Sequence, residues 1–303
     1  MQKLEKDLAT ALQEIANKHH ALLLSFIAPD KIVRKSPVLF DTAQITVSDL
    51  YNIEKEIEHL KEVGKLPKKV HFVIQTPGGA LDASIKIATY LQAHFSDIEA
   101  YVPYEAASGG TLLCFAAKYT VMDFTSSLTP IDPQVGYKNQ WISATSYGQA
   151  IANYQKEFGN FRHEEIPSPY QQLCSQLDPV IEKEMDKIVY DAVAIAYKLL
   201  INSQHPKIKQ DYDKLFGTAL AFAKTNYPHS HVITAEEAKE LGLNINQDND
   251  KLEVLKVYKK WVSSRLQEEE TTHIIESFYP EKEEKYEKTN TEAATAGSKG
   301  GTK

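Results

Sequence analysis

Cysteine, long apolar runs and surplus positive charge are all scarce in this chain, and each scarcity excludes something. Only Cys114 and Cys174 occur among 303 residues, and neither has the CxxC or His-paired spacing of a metal site, so no metal and no disulfide framework are expected. Thiols this sparse fit a reducing compartment. The longest apolar run of the N-terminal region, Ala21 to Ile27 broken by Ser25, falls far short of the roughly 20 residues of a membrane helix. The first twenty residues, MQKLEKDLATALQEIANKHH, lack the apolar core of a signal peptide. A cytoplasmic chain with no integral membrane segment is expected. The formal charge of -7, without a basic patch interleaved with aromatics, argues against nucleic acid as a partner.

What is present is ordinary in total and organised in detail. With 42% hydrophobic and 25% charged residues the chain is long enough for one substantial core. Leu4, Leu8, Leu12 and Ile15 recur at helical spacing, predicting a helix over residues 3–18 that docks on the core or on another subunit. Ala21 to Ile27 reads as a buried strand. Ser48 or Asp49 is placed to cap a helix whose apolar face is Leu50, Ile53, Ile57 and Leu60.

Two strand–glycine–helix units follow. In the first, strand Val70–Ile74 runs into Thr76-Pro77-Gly78-Gly79 and a helix from Leu81; in the second, strand Ile98–Val102 leads to Ser108-Gly109-Gly110 and a helix from Thr111. Alternating strands and helices of these lengths imply right-handed crossovers and a mostly parallel sheet. In such folds ligands sit at the carboxyl ends of the strands, where both glycine turns fall.

Beyond Gly136 the pattern is helical. Tyr147, Ile151, Tyr154 and Phe158 share a face, and Asp178-Pro179 opens a long helix that reaches about Ile201. A helix between Ile208 and Asn226, a capping box at Thr234 to Glu237, and a last helix over 251–266 complete the pattern. From about Gln267 the composition turns acidic and low in complexity, which predicts disorder. The expected organisation is therefore an N-terminal helix (1–20), one α/β domain (21–262) and a disordered charged tail (263–303).

The glycine turns carry the chemistry. Backbone N–H groups of Gly78, Gly79 or Ala80 in the first turn, and of Gly109 in the second, are candidates to face a negatively charged oxygen. Ser108, directly before its glycines, is either the cap of the following helix or a nucleophile. A nucleophilic serine needs a base to take its proton. Asp132, held between Pro130 and Pro133, suits an orienting acid rather than a base. His71 and His94 are best read as structural. His229 and His231 share a loop before the Thr234 helix, and Lys118 and Lys138 are the alternatives for a serine–lysine pair.

Taken together, QTPGG, AASGGT, SLTPIDPQVG and HSHVITAEEAKELGL resemble the serine dehydrogenase proteinase family, over roughly Leu22 to Trp261. That family is similar to Clp-type serine peptidases and, more distantly, to the signal-peptide peptidase A and crotonase folds. The resemblance implies a crotonase/Clp-like α/β fold of repeated ββα units with a helical C-terminal part. It also implies a serine peptidase, often oligomeric, that acts on polypeptides without a cofactor. Its nucleophile, acid and base fall on Ser108, Asp132 and His229, with His231 and Lys138 as alternative bases and Gly78, Gly79 and Gly109 around the oxyanion. This chain departs from the pattern at Gln75, where histidine is common, at Thr129, where glycine is usual, and at Ser230 and His231 beside the base. A catalytically silent oligomeric scaffold and a crotonase-like enzyme acting on an acyl thioester are the alternative readings.

Overall fold

A computed structural model of the chain describes residues 2–28, 44–137, 140–162, 165–175, 178–203, 211–224, 227–266 and 273–281. Helix α1 (Gln2–His19) leads into strand β1 (Ala21–Ile27), followed by α2 (Val47–Glu62), β2 (Lys69–Gln75), α3 (Leu81–His94) and β3 (Asp97–Tyr101). Short elements come next: β4 (Glu105–Ala106), α4 (Gly109–Cys114), β5 (Tyr119–Val121) and β6 (Ser127–Leu128). A hairpin of β7 (Gln134–Tyr137) and β8 (Gln140–Ser143) precedes helices α5 (Ala144–Phe158), α6 (Ser168–Cys174), α7 (Pro179–Ser203), α8 (Tyr212–Ala223) and α9 (Ala235–Glu240). The last described elements are β9 (Ile245–Asn246), α10 (Asn249–Leu266) and β10 (Ser277–Phe278).

The main sheet has the order β10-β1-β2-β3-β5-β9, all parallel except β10. The expected α/β class and mostly parallel sheet are observed. Strand β1 shows why its sequence is an almost unbroken apolar run. Leu22, Leu24 and Phe26 pack under α2, α3 and α4, while Leu23 and Ile27 meet α1 and α10 on the opposite face. A strand covered on both sides has no polar face to alternate with. Helix α1 docks on this chain's own core through Leu12 and Ala16.

Three boundaries differ from expectation for local reasons. Helix α2 is capped by Thr46, and Asp49 sits one turn inside, accepting from the Thr46 N–H at 2.7 Å. Helix α4 starts at Gly109 and ends at Cys114, because Ser108 alone makes the turn. The stretch 163–169, which its polar residues and prolines mark in sequence as a link, gives way to α6 already at Ser168, with Pro169 in the first turn of that helix. The apolar run Val38-Leu39-Phe40, which reads in sequence as a short strand, lies outside the described residues.

The tail requires a correction. Helix α10 continues past residue 263 to Leu266, and residues 273–281 return to the sheet. Ile274 exchanges backbone hydrogen bonds with Ile27 at 2.9 and 3.0 Å, and β10 pairs antiparallel with β1. Glu276 accepts from Trp261 Nε1 at 2.6 Å and from Arg265 Nε at 2.9 Å. Charge in this segment is thus paired with α10 rather than solvated, a contact that composition cannot show. Residues 282–303 lie outside the described residues.

His71 is structural, as expected, but in an unusual setting. It is fully buried between β2 and α10, with Nδ1 2.7 Å from the Tyr258 hydroxyl and Nε2 3.2 Å from Glu99 Oε2. Burial, outweighing the nearby Glu99, pushes the imidazole down to about 3. Burial alone would raise the Glu99 carboxyl, yet His71, Lys69, Tyr119 and Lys251 together hold it below the usual carboxylate range. Both shifts have the same sign for stability. Above about pH 6.5 neither folded nor unfolded chain protonates this histidine; as pH falls, only the unfolded chain does, so stability is lost toward the folded value. Urea midpoints are expected to drop between pH 6.5 and 4.5, above the range where Glu99 contributes, and the slope should be shallower in His71→Asn. Equal slopes would show that His71 does not set it.

Candidate active site

Parallel registers bring the two glycine turns side by side. Thr76 donates its N–H to Glu105 O at 3.0 Å and accepts from the Ala107 N–H at 2.9 Å, which laces the end of β2 to β4. A Cβ on Gly78 would lie 2.9 Å from both Ala107 O and Ser108 Cβ, so only glycine allows this approach. Gly79, at φ +153, packs against the backbone of Ile45, with no room for a side chain. The Ile45 N–H donates to Gly78 O at 2.8 Å, and Ile45 O accepts from the Ala80 N–H at 2.9 Å.

These bonds sort the amides of the first turn. The Gly78 N–H, one of the expected oxyanion donors, is engaged within the turn in this structure, donating to Thr76 Oγ1 at 3.1 Å. Ala80 is engaged with Ile45. That leaves the Gly79 N–H without an acceptor among the described residues. The Gly109 N–H, at the first position of α4, likewise has none, as helix starts dictate. A Cβ on Gly109 would sit 3.4 Å from Gly79 N, which shows how closely the two turns abut.

Ser108 occupies a backbone conformation that side chains seldom adopt, φ 47 and ψ −109. Such positions cost about 1–3 kcal/mol and persist only where their surroundings hold them. Here the Ser108 N–H donates to Thr129 Oγ1 at 2.8 Å, and its carbonyl accepts from the Leu112 N–H at 3.1 Å. Thr129 is itself fixed: Thr111 Oγ1 lies 2.8 Å from both Thr129 O and Ala106 O, sharing its one proton between them, and accepts from the Thr129 N–H at 3.2 Å. The Thr129 hydroxyl, at a position where glycine is usual, therefore supports the Ser108 turn. Ser108 makes no side-chain cap bond to α4, so capping does not explain the residue.

The acid and the histidine arrive from separate elements. Ile131 donates its N–H to Phe222 O of α8 at 3.0 Å, anchoring the proline-bracketed segment. Asp132 is 2% exposed, and its Oδ1 lies 2.7 Å from His229 Nδ1 while Gln134 Nε2 donates to Oδ2 at 2.9 Å. The His229 loop is tied down by an antiparallel bridge between Leu128 and Ile233, with bonds of 2.9 and 3.0 Å. One cavity of about 780 Å³ is lined by Ser108, Asp132, His229, Gly79 and Gly109, with Leu112, Ile131 and Trp141 among its apolar walls. Among the described residues no hydrogen bond joins the Ser108 hydroxyl to His229.

The remaining candidates separate. His231 Nε2 lies 2.9 Å from Glu237 Oε1 and its ring stacks on Tyr227, centroids 4.1 Å apart, so it is occupied away from the cavity. That bond also takes the Glu237 carboxylate expected to complete the capping box; Thr234 still accepts from the Glu237 N–H at 3.3 Å. Lys118 lies 3.9 Å from Asp97, at the other end of the sheet. Lys138 lies outside the described residues. Gln75 Oε1 accepts from the N–H groups of Tyr104 and Glu105, at 3.2 and 3.1 Å, a structural use of that position. Among the described residues no group of His, Cys, Asp or Glu is arranged to hold a metal ion, and no helix is long and apolar enough to cross a membrane.

A mostly parallel α/β sheet with two glycine turns at the carboxyl ends of its strands puts the candidate site where open α/β folds hold their ligands. Residues 2–157 match the ClpP-like SDH-type serine proteinases, and the chain belongs to that family. His229 lies beyond the matched residues. Two uncharacterized proteins of Methanocaldococcus jannaschii are similar: one is 28% identical over 84% of this chain and 79% of its own length, the other 24% identical over 67% and 61%. Two solved structures of variants of the 1510-N membrane-bound stomatin-specific protease, one with a substrate peptide, match with TM-scores of 0.43 and 0.41. Their identities are 17% and 18%, over 70% and 69% of this chain and 79% and 74% of theirs.

Thr129 is the residue whose role the motif pattern hid. Thr129→Val removes the acceptor for the Ser108 N–H and is expected to destabilise the protein by about 1–3 kcal/mol, whereas Thr129→Ser keeps the hydroxyl and most of the stability. Urea unfolding of the two variants checks this; equal losses would assign the effect to packing of the methyl group.

Proposed function

We propose that this chain is a serine peptidase whose nucleophile is Ser108, with His229 as general base and Asp132 as the acid that orients it. The single observation that carries the reading is the 2.7 Å His229–Asp132 pair opening onto the cavity that also holds Ser108 and the two unengaged amides. Asp132 at Nδ1 leaves Nε2 as the nitrogen available to take a proton. Catalytic bonds of the serine–histidine kind commonly tighten only around substrate.

The reaction follows from these groups. Ser108 Oγ attacks the carbonyl carbon of a peptide bond while His229 Nε2 takes the hydroxyl proton. The negative charge on the carbonyl oxygen is met by the Gly79 and Gly109 N–H groups, each worth roughly 3 kcal/mol when so aimed. Collapse breaks the C–N bond, and His229 returns the proton to the leaving amine. Water then attacks the acyl ester while His229 takes one of its protons; the bond between the acyl carbon and Ser108 Oγ breaks, the carboxylic acid leaves with the water oxygen, and His229 returns the proton to Ser108 Oγ. We further propose a homo-oligomer that works on polypeptides in the cytoplasm. Sparse thiols support the compartment, and the exposed Val180, Tyr190 and Phe216 of α7 and α8 support self-association.

A fluorophosphonate probe with casein cleavage tests the assignment. Ser108→Ala is expected to abolish labelling, and His229→Ala and Asp132→Asn to lower turnover by about 10³- to 10⁴-fold. His231→Ala and Lys138→Ala should retain activity. Equal labelling of wild type and Ser108→Ala overturns the proposal, and loss confined to Lys138→Ala would move the base to that lysine.

A further inference from the structure

The C-terminal segment that returns to the sheet also reaches the first glycine turn. His273, immediately before the Ile274–Ile27 bridge, lies with Nδ1 2.6 Å from Asp49 Oδ1, and both side chains are almost fully buried. The other oxygen of that carboxylate accepts from the Thr46 N–H at 2.7 Å and from Thr46 Oγ1 at 3.0 Å. Thr46 directly follows Ile45. Ile45 in turn brackets the glycine turn, donating to Gly78 O and accepting from Ala80 on either side of Gly79. An unbroken path of hydrogen bonds and two peptide links, Ile45–Thr46 and Gly78–Gly79, therefore runs from His273 to the unengaged Gly79 amide.

Packing alone does not account for this histidine. Its ring meets Phe26 edge-on, centroids 5.1 Å apart, and Nε2 is buried without a partner among the described residues. An apolar side chain would be cheaper to bury there. Only the bond to Asp49 uses the imidazole's polarity, and it fixes the carboxylate that accepts from the Thr46 N–H at the start of α2. Without that bond Asp49 loses a buried donor, and the Thr46–Ile45 backbone loses its outer support.

We infer that His273 is a positioning residue: through Asp49 and the Thr46–Ile45 backbone it holds the Gly78–Gly79 turn, so that the C-terminal segment sets the geometry of one oxyanion donor. The catalytic half of this inference rests on the proposed peptidase reading; the coupling of His273 to the turn does not. Misplacing a catalytic group by a fraction of an ångström lowers turnover far more than it weakens ground-state binding.

Three full-length variants test it, read by hydrogen–deuterium exchange and by kinetics on a casein-derived peptide. His273→Ala is expected to speed exchange about tenfold in segments 44–50 and 76–80, with segment 97–101 unchanged. Its kcat should fall about ten- to a hundredfold with KM nearly constant. His273→Asn, whose amide can stand where Nδ1–H does, should restore both. His273→Gln, one methylene longer, should not, and it substitutes for the alanine variant if that one fails to fold. Unchanged exchange at 76–80 in folded His273→Ala or His273→Gln overturns the inference, as does an activity loss that His273→Asn does not reverse. If Ser108→Ala and wild type label alike, the peptidase reading falls, and the exchange arm still decides whether His273 holds the turn.

Discussion

The hydrogen bond from the Ser108 N–H to Thr129 Oγ1 is the constraint on which the rest of the site depends. A serine held at φ 47 relaxes unless its amide and carbonyl are both occupied. Thr129 occupies the first and the opening turn of α4 the second. Because Thr129 is bonded to Thr111, and Thr111 to Ala106, the strain is shared among β4, α4 and the segment leading to Asp132. The nucleophile candidate and the acid candidate are thus set by one small group of threonines.

Around that group the fold acts as a locating frame. Parallel pairing of β1, β2 and β3 aligns the carboxyl ends of the strands, and lateral backbone bonds then bring Thr76 against Ala107 and Ile45 against Gly79. None of these contacts is apolar, yet all lie above a core filled by Leu22, Phe72, Ile87 and Leu112. The core gives the turns a rigid floor. The His229 loop is treated differently: it rests on a two-residue bridge to β6 and on its bond to Asp132, and its imidazole keeps a solvent-facing side.

Much of this was legible in residue order. The period of two or 3.6 marked strands and helices, and glycine after a strand marked the turns, because both signals are local. Ser108, Asp132 and His229 could be named from motifs, but their meeting could not, since Asp132 and His229 are far apart in sequence. Gly78 illustrates the limit within a motif: it and Gly79 are equivalent on paper, and only the Thr76 hydroxyl distinguishes them. His231, the alternative base, is bonded to Glu237 of α9, a contact that residue order does not show. The segment 273–281 misled for a related reason, because its charges are matched by Trp261, Arg265 and Asp49, partners that composition does not reveal.

The position of β10 has a consequence for the order of events during synthesis. Residues 273–281 follow every other described element, so β1 stands with an open edge while the rest of the sheet assembles. The Asp49 carboxylate likewise waits for His273. A nascent chain would own its serine, its acid and its imidazole before it owned a settled first glycine turn, so maturation of the cleft waits for residues 273–281 to be made and docked.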